Sequence, residues 1–125
     1  MTNWPHNELQ RIGEADELAI APARADGTRR APTTIWVVRD GDELYVRAYR
    51  GRQGSWWRAA RAGLRGRISA GGVERDVAFA EVDDPTLNDR VDAAYRGKYG
   101  SSGPYVAAMV SEQARATTLA VRPSP

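Results

Sequence analysis

TTIWVVRDGDELYVRAYR, residues 33–50, contains the clearest hairpin pattern in the sequence. Asp40-Gly41 suits the two central positions of a tight hairpin turn, where positive φ is needed. Folding about that pair predicts Arg39 opposite Asp42, Val37 opposite Leu44 and Ile35 opposite Val46. Alternate residues of a strand share a face. Ile35, Val37, Leu44 and Val46 then form an aliphatic core face. Trp36, Tyr45, Thr34, Arg47 and Tyr49 form a second face that is aromatic, hydroxylic and cationic. Such a face suits a second layer, a partner subunit or a planar anionic ligand.

Working outward, the pattern predicts a short helix over 5–12, closed by Gly13, and a strand over 16–23 with Leu18 and Ile20 alternating. Asp26-Gly27 and Pro32 mark a loop between them and the hairpin. After the hairpin, Ser55 is an N-cap candidate for a helix SWWRAARAG ending at Gly63. Trp56, Ala60 and Leu64 would be its apolar stripe. A second hairpin turns at Gly71-Gly72. Asp83-Asp84-Pro85 opens a helix reaching Tyr99, with Leu87, Val91, Ala94 and Tyr95 as its apolar face. Another helix opens at Pro104 and carries Val106, Met109 and Val110. A last strand covers 117–121, and residues 123–125 are expected to fray. Strands interrupted by helices without a βαβ rhythm predict an antiparallel α+β domain. About six short strands can close into a small barrel with flanking helices. The chain is expected to be one domain over 1–125, with 1–14 as an N-terminal helical arm.

Composition narrows the chemistry. The 125 residues carry a net charge of only +2, yet residues 45–67 hold seven arginines (47, 50, 52, 58, 61, 65 and 67) and no acid. That patch attracts anions. The absence of cysteine removes thiolate and disulfide chemistry. The single histidine, His6, leaves neither a transition-metal ligand set nor a Ser-His-Asp triad. No metal is expected. No apolar run approaches the ~20 residues that span a bilayer, and the N-terminus has no leader pattern. A cytoplasmic protein without membrane contact is the expectation. Aromatic residues interleave with the arginines as on nucleic-acid stacking surfaces, but the near-neutral total charge argues against that partner. Asp92, Tyr95, Arg96, Lys98 and Tyr99 gather near the end of one helix. They read either as a helix C-terminus with suitable cations or as groups bordering a ligand, with Tyr95, Lys98 and Tyr99 as candidate catalytic residues.

IWVVRDGDELYVR, the Trp56-Trp57 pair, GRISAGGVERDVAF, DAAYRGKYG and ATTLAVRP together resemble the uncharacterised bacterial family DUF2255 over most of residues 15–123. The order of elements, with a tryptophan-initiated helix after the hairpin, also resembles the flavin-binding split-barrel superfamily. That group includes the pyridoxamine phosphate oxidase-like proteins and the deazaflavin-dependent reductases. The resemblance implies a split barrel, a homodimer and a bound cofactor, FMN or F420. It implies cofactor-binding roles for Trp36, Arg47, Tyr49, Arg50, Trp56, Trp57, Arg58 and Arg61. The asparagine that often follows the tryptophan in the deazaflavin group is absent; Arg58 and Ala59 stand there. The leading reading is a small flavin- or deazaflavin-dependent oxidoreductase. The alternatives are a cofactor-free protein for a small anionic or aromatic ligand, with acid-base work by Tyr95, Tyr99, Lys98 or Asp92, and a nucleic-acid-binding module.

Overall fold

The computed structural model describes residues 3–28, 30–100 and 103–124. In chain order these form α1 (His6–Glu14), β1 (Leu18–Pro22), β2 (Thr33–Ile35), β3 (Val38–Asp40) and β4 (Glu43–Val46). A 3-10 turn (Gly51–Gln53) leads into α2 (Ser55–Gly63), β5 (Arg65–Ala70) and β6 (Val73–Glu81). The remainder is α3 (Pro85–Tyr99), α4 (Pro104–Met109), α5 (Glu112–Arg115) and β7 (Leu119–Pro123). The architecture is α+β, as expected, with seven strands among the described residues rather than about six.

All pairings are antiparallel, in the order β2-β1-β5-β6-β7-β4-β3. This order overturns the expected single strand through 33–39. Thr33–Ile35 pairs with β1 at one margin of the sheet, and Val38–Asp40 pairs with β4 at the other. Only Trp36 and Val37 join the two margins. Three Cα steps span at most about 11 Å. The sheet must therefore curl until its margins nearly meet, which makes it a split barrel.

The hairpin register also differs from expectation. Asp40 lies opposite Glu43, Arg39 opposite Leu44 and Val38 opposite Tyr45. The two central turn residues are therefore Gly41 and Asp42, one place later than Asp40-Gly41. Gly41 alone takes positive φ, at 61°. Asp-Gly-Asp offers two turns one residue apart, and burial of Val38 with Tyr45 selects the second. The two faces keep the predicted membership. Val37, Leu44 and Val46 are buried in one core, with Ile35 packed against it; Trp36 and Tyr45 belong to the other.

Those two cores lie on opposite faces of the sheet. The larger one gathers Leu18, Ile20, Ile68, Val77, Phe79, Leu119 and Val121 with Leu9 and Ile12 of α1 and Trp56, Trp57 and Ala60 of α2. The smaller one seats Val91, Tyr95 and Tyr99 of α3 and Val106 and Met109 of α4 against Val38, Tyr45 and Ala120. Alternation along β4 and β7 divides these sets as strand geometry requires. The Gly71-Gly72 turn forms as predicted, with φ of 57° and 80°. Asp84 caps α3 through bonds from the Thr86 and Leu87 amides.

Several boundaries shift for local reasons. α1 runs through Gly13, where a stop was expected, to Glu14, and buries Leu9 and Ile12 in the core. Gly54, not Ser55, occupies the N-cap of α2, with no side-chain cap bond. The helix ends at Gly63 as expected, and Leu64 (φ 57°) follows as its left-handed C-cap. Leu64 is consequently exposed, and Trp57 joins the buried stripe in its place. The helix opened by Pro104 breaks at Val110–Ser111, because Ser111 caps a new turn through the Ala114 amide. Pro123 pairs with Val77, and the Ser124 amide donates to Asp76, so β7 continues where fraying was expected. Pro125 lies outside the described residues. No helix among the described residues is long and apolar enough to cross a membrane.

Candidate functional site

A cleft of about 550 Å³ opens beside β2. Thr33, Thr34, Ile35 and Trp36 form one wall. Arg47, Tyr49 and Arg50 follow from the end of β4, Gly54, Ser55 and Trp56 from the start of α2, and Tyr105 and Met109 from α4. The lining contains four aromatic side chains, three hydroxyl-bearing Ser/Thr residues and two arginines, and no carboxylate. Its size falls in the range of small-molecule sites, ~300–1,000 Å³. The first turn of α2 enters this cleft uncapped by any side chain. Such a helix start presents amide N–H groups and the positive end of the helix dipole.

The structure thus brings together Trp36, Arg47, Tyr49, Arg50 and Trp56 of the residues expected to hold a cofactor. It places Trp57, Arg58 and Arg61 elsewhere. Those three line a separate groove with Arg52, Ala62 and Glu81. Trp57 is 2% exposed, and its Nε1 donates to the Thr117 carbonyl at 2.9 Å. The guanidinium groups of Arg52 and Arg61 sit 5.9 and 5.6 Å from the centre of its ring. Arg61 also reaches Glu81 at 3.3 Å. The break comes from helix geometry: Trp56 and Trp57 project about 100° apart from α2.

Arg47 borders the cleft, yet its side chain is fully enclosed. Nε donates to Thr118 Oγ1 at 2.9 Å. Nη1 donates to Asp92 Oδ1 at 2.5 Å and to the Met109 carbonyl at 3.0 Å. Nη2 donates to the Asn88 carbonyl at 3.1 Å and to Asn88 Oδ1 at 3.0 Å. A guanidinium has five N–H donors, and all five are engaged. Asp92 Oδ2 in turn accepts from Arg115 at 2.6 Å. Arg47 therefore joins β4, α3, α4 and the approach to β7, and has no N–H left for a ligand. Sequence reasoning missed Asn88, Thr118 and Arg115 in this network. A signal was present: Asn88 and Asp92 are four apart on the same stripe as Val91 and Tyr95, so polar groups lie on a face that must be buried.

Tyr95, Lys98 and Tyr99 line neither the cleft nor the groove. The Tyr95 hydroxyl is fully buried beneath Arg47, whose guanidinium lies 5.4 Å from the ring centre. Burial raises its pKa well above the ordinary tyrosine range. Lys98 Nζ donates to the Val37 carbonyl at 2.7 Å. Tyr99 Oη lies 2.9 Å from the Asp16 carbonyl and 3.2 Å from that of Val37, and accepts from the Val37 amide at 3.4 Å. Burial lowers the Lys98 pKa to about 8 and raises that of Tyr99 to about 12.

A pH dependence follows. An unfolded chain carries Lys98 at its ordinary value near 10.5. Between pH 8 and 10.5 the unfolded state therefore binds more protons, and stability rises with pH. The Lys98 contribution is lost as pH falls through 8. Tyr99 acts oppositely and later: its contribution is present below pH 10 and lost toward 12. Urea midpoints measured between pH 7.5 and 9.5 should show a rising trend in the wild type and a flatter one in Lys98→Met. Equal slopes in both would contradict the assignment.

Comparison with solved structures places this fold among the split-barrel proteins. The chain is similar to an F420 reductase, with a TM-score of 0.59, 18% identity and coverage of 98% of this chain and 97% of that one. It is also similar to the heme storage protein HutZ from Vibrio cholerae, with a TM-score of 0.65, 14% identity and coverage of 100% and 91%. A FAD-binding protein from Mesorhizobium loti matches with a TM-score of 0.55, 14% identity and coverage of 97% and 89%. No curated protein matches the sequence. The protein belongs to DUF2255, a family described as uncharacterized and conserved in bacteria, whose model matches residues 8–121. Among the described residues no group of three His, Asp or Glu side chains is placed to hold a metal ion.

Proposed function

We propose that the cleft binds a flavin or deazaflavin, FMN or F420, and that the protein is a small cofactor-dependent oxidoreductase. The observation that carries this reading is the cleft lining: aromatic walls, one available guanidinium and an uncapped helix start, with no carboxylate. Planar heterocycles stack on indole and phenol rings. A phosphate is favoured at a helix N-terminus and by arginine. Trp36 and Trp56 would pack the ring system. Arg50, Ser55 and the first amides of α2 would hold the anionic group. Arg47 acts indirectly, by fixing the cleft floor at Met109. The bound cofactor would supply the hydride chemistry, and the protein the orientation and the exclusion of water. The flavin- and F420-related names among the similar folds support the same choice of ligand. A cytoplasmic homodimer belongs to this reading, with the exposed Tyr49 and Tyr105 at the cleft mouth covered by the second copy.

The test is titration of the purified protein with FMN, FAD and F420, followed by visible absorption and fluorescence. Saturable uptake of FMN or F420 is expected. Arg50→Glu should weaken it about tenfold or more, since a charge-assisted bond is replaced by repulsion. A protein that takes up none of the three would sink the proposal. Sedimentation of the same samples checks the dimer.

A further inference from the structure

Trp36 belongs to no strand ladder. It stands in the two-residue crossing between the sheet margins, so backbone pairing does not orient its ring. The end of α3 does. The Tyr99 ring lies on one face of the Trp36 indole, with ring centres 4.0 Å apart and planes 1° from parallel. Trp36 also lines the cleft, so a planar ligand there would meet the part of the indole that Tyr99 leaves uncovered. The backbone of the next residue, Val37, is gripped at both polar groups. Its amide donates to Tyr99 Oη, and its carbonyl accepts from Lys98 Nζ. A phenol has one proton and can also accept. The arrangement closes if Tyr99 donates to the Asp16 carbonyl, accepts from Val37 and leaves the Val37 carbonyl to Lys98. Hydrogen bonds of this kind add modest net stability. What they add is direction.

We infer that Lys98 and Tyr99 are positioning residues for the cleft: through Trp36 and Val37 they hold the indole as the wall on which a planar ligand stacks. Neither side chain lines the cleft, so the effect passes entirely through the crossing. The inference rests on the cofactor reading of the cleft. It gives DAAYRGKYG a part in the site without a proton-transfer step.

The test compares Lys98→Met, Tyr99→Phe and Lys98→Arg, each alone and combined with Trp36→Phe. Two quantities are measured well below the unfolding temperature. One is the Kd for FMN and for F420. The other is acrylamide quenching of Trp36, taken as the difference from Trp36→Phe. Lys98→Met and Tyr99→Phe should each weaken affinity about tenfold and expose Trp36 to quenching. Lys98→Arg keeps the donor and should stay near the wild type. With Trp36→Phe already in place, the same substitutions should change affinity by less than about twofold, because coupled residues are not additive. Equal losses with and without Trp36 would mark a purely structural role and overturn the inference, as would unchanged quenching. If the wild type takes up neither FMN nor F420, the cofactor reading falls. The quenching comparison alone then decides the positioning role.

Discussion

Replacing Asp92 by alanine is expected to lower the unfolding free energy by about 3–5 kcal/mol, the usual cost of leaving a buried ion without its partner. Arg47 would keep its other four bonds but lose the only carboxylate it touches among the described residues. Arg115 would lose one of two partners and keep Asp89 at 2.9 Å. Against a typical total of 5–15 kcal/mol, this removes a large fraction of stability. Urea unfolding followed by far-UV circular dichroism measures it. A double variant separates lost pairing from lost packing. Arg47→Met combined with Asp92→Leu removes both charges, and such exchanges are often neutral or better. The double variant should therefore be more stable than Asp92→Ala. A single substitution costing under about 1 kcal/mol would mean that water or Asp89 neutralises Arg47, and that the buried pair is weaker than its geometry implies.

The second large effect is expected at Trp57, the largest of the almost fully enclosed side chains. Trp57→Ala should cost about 3–5 kcal/mol, combining lost burial with the cavity left behind. Trp57→Phe fills most of the space but leaves the Thr117 carbonyl without its indole donor, and should cost about 1–3 kcal/mol. The pair of variants also bears on the site. Trp57 was expected to hold a cofactor, whereas its ring lies in the core with only the separate groove beside it. Trp57→Phe should therefore bind FMN or F420 as the wild type does. A strong affinity loss in a variant of normal stability would return Trp57 to the ligand site.

Much of the fold could be read from local patterns. Alternation in residues 43–46, 65–70 and 73–81, the Gly71-Gly72 turn and the Asp84 cap each rest on neighbours in sequence. The break at Trp36–Val37 could not be read this way. Residues 33–39 contain no Gly, Pro, Asn or Asp to mark an interruption, and what divides them is a grip from Lys98 and Tyr99, some sixty residues away. The turn register was ambiguous by one residue for the same reason: both turns satisfy local chemistry, and only burial chooses. The candidate site shows a similar division. The gathering of aromatic residues and arginines was legible, but an arginine in a charge run looks solvated. Nothing near Arg47 in the chain reveals that Asn88 and Asp92 will enclose it.

An incompletely closed sheet keeps two margins, and margins invite self-association. The β2 margin is only three residues long, follows Pro32 and carries the exposed Thr33 and Thr34. The β3 margin is equally short, and Asp40 there is tied to Arg90 of α3 at 3.0 Å. Strands this brief and this polar are poor templates for a foreign backbone. The open barrel thus carries little risk of runaway strand addition, and two copies would have to meet through side-chain surfaces rather than by extending the sheet.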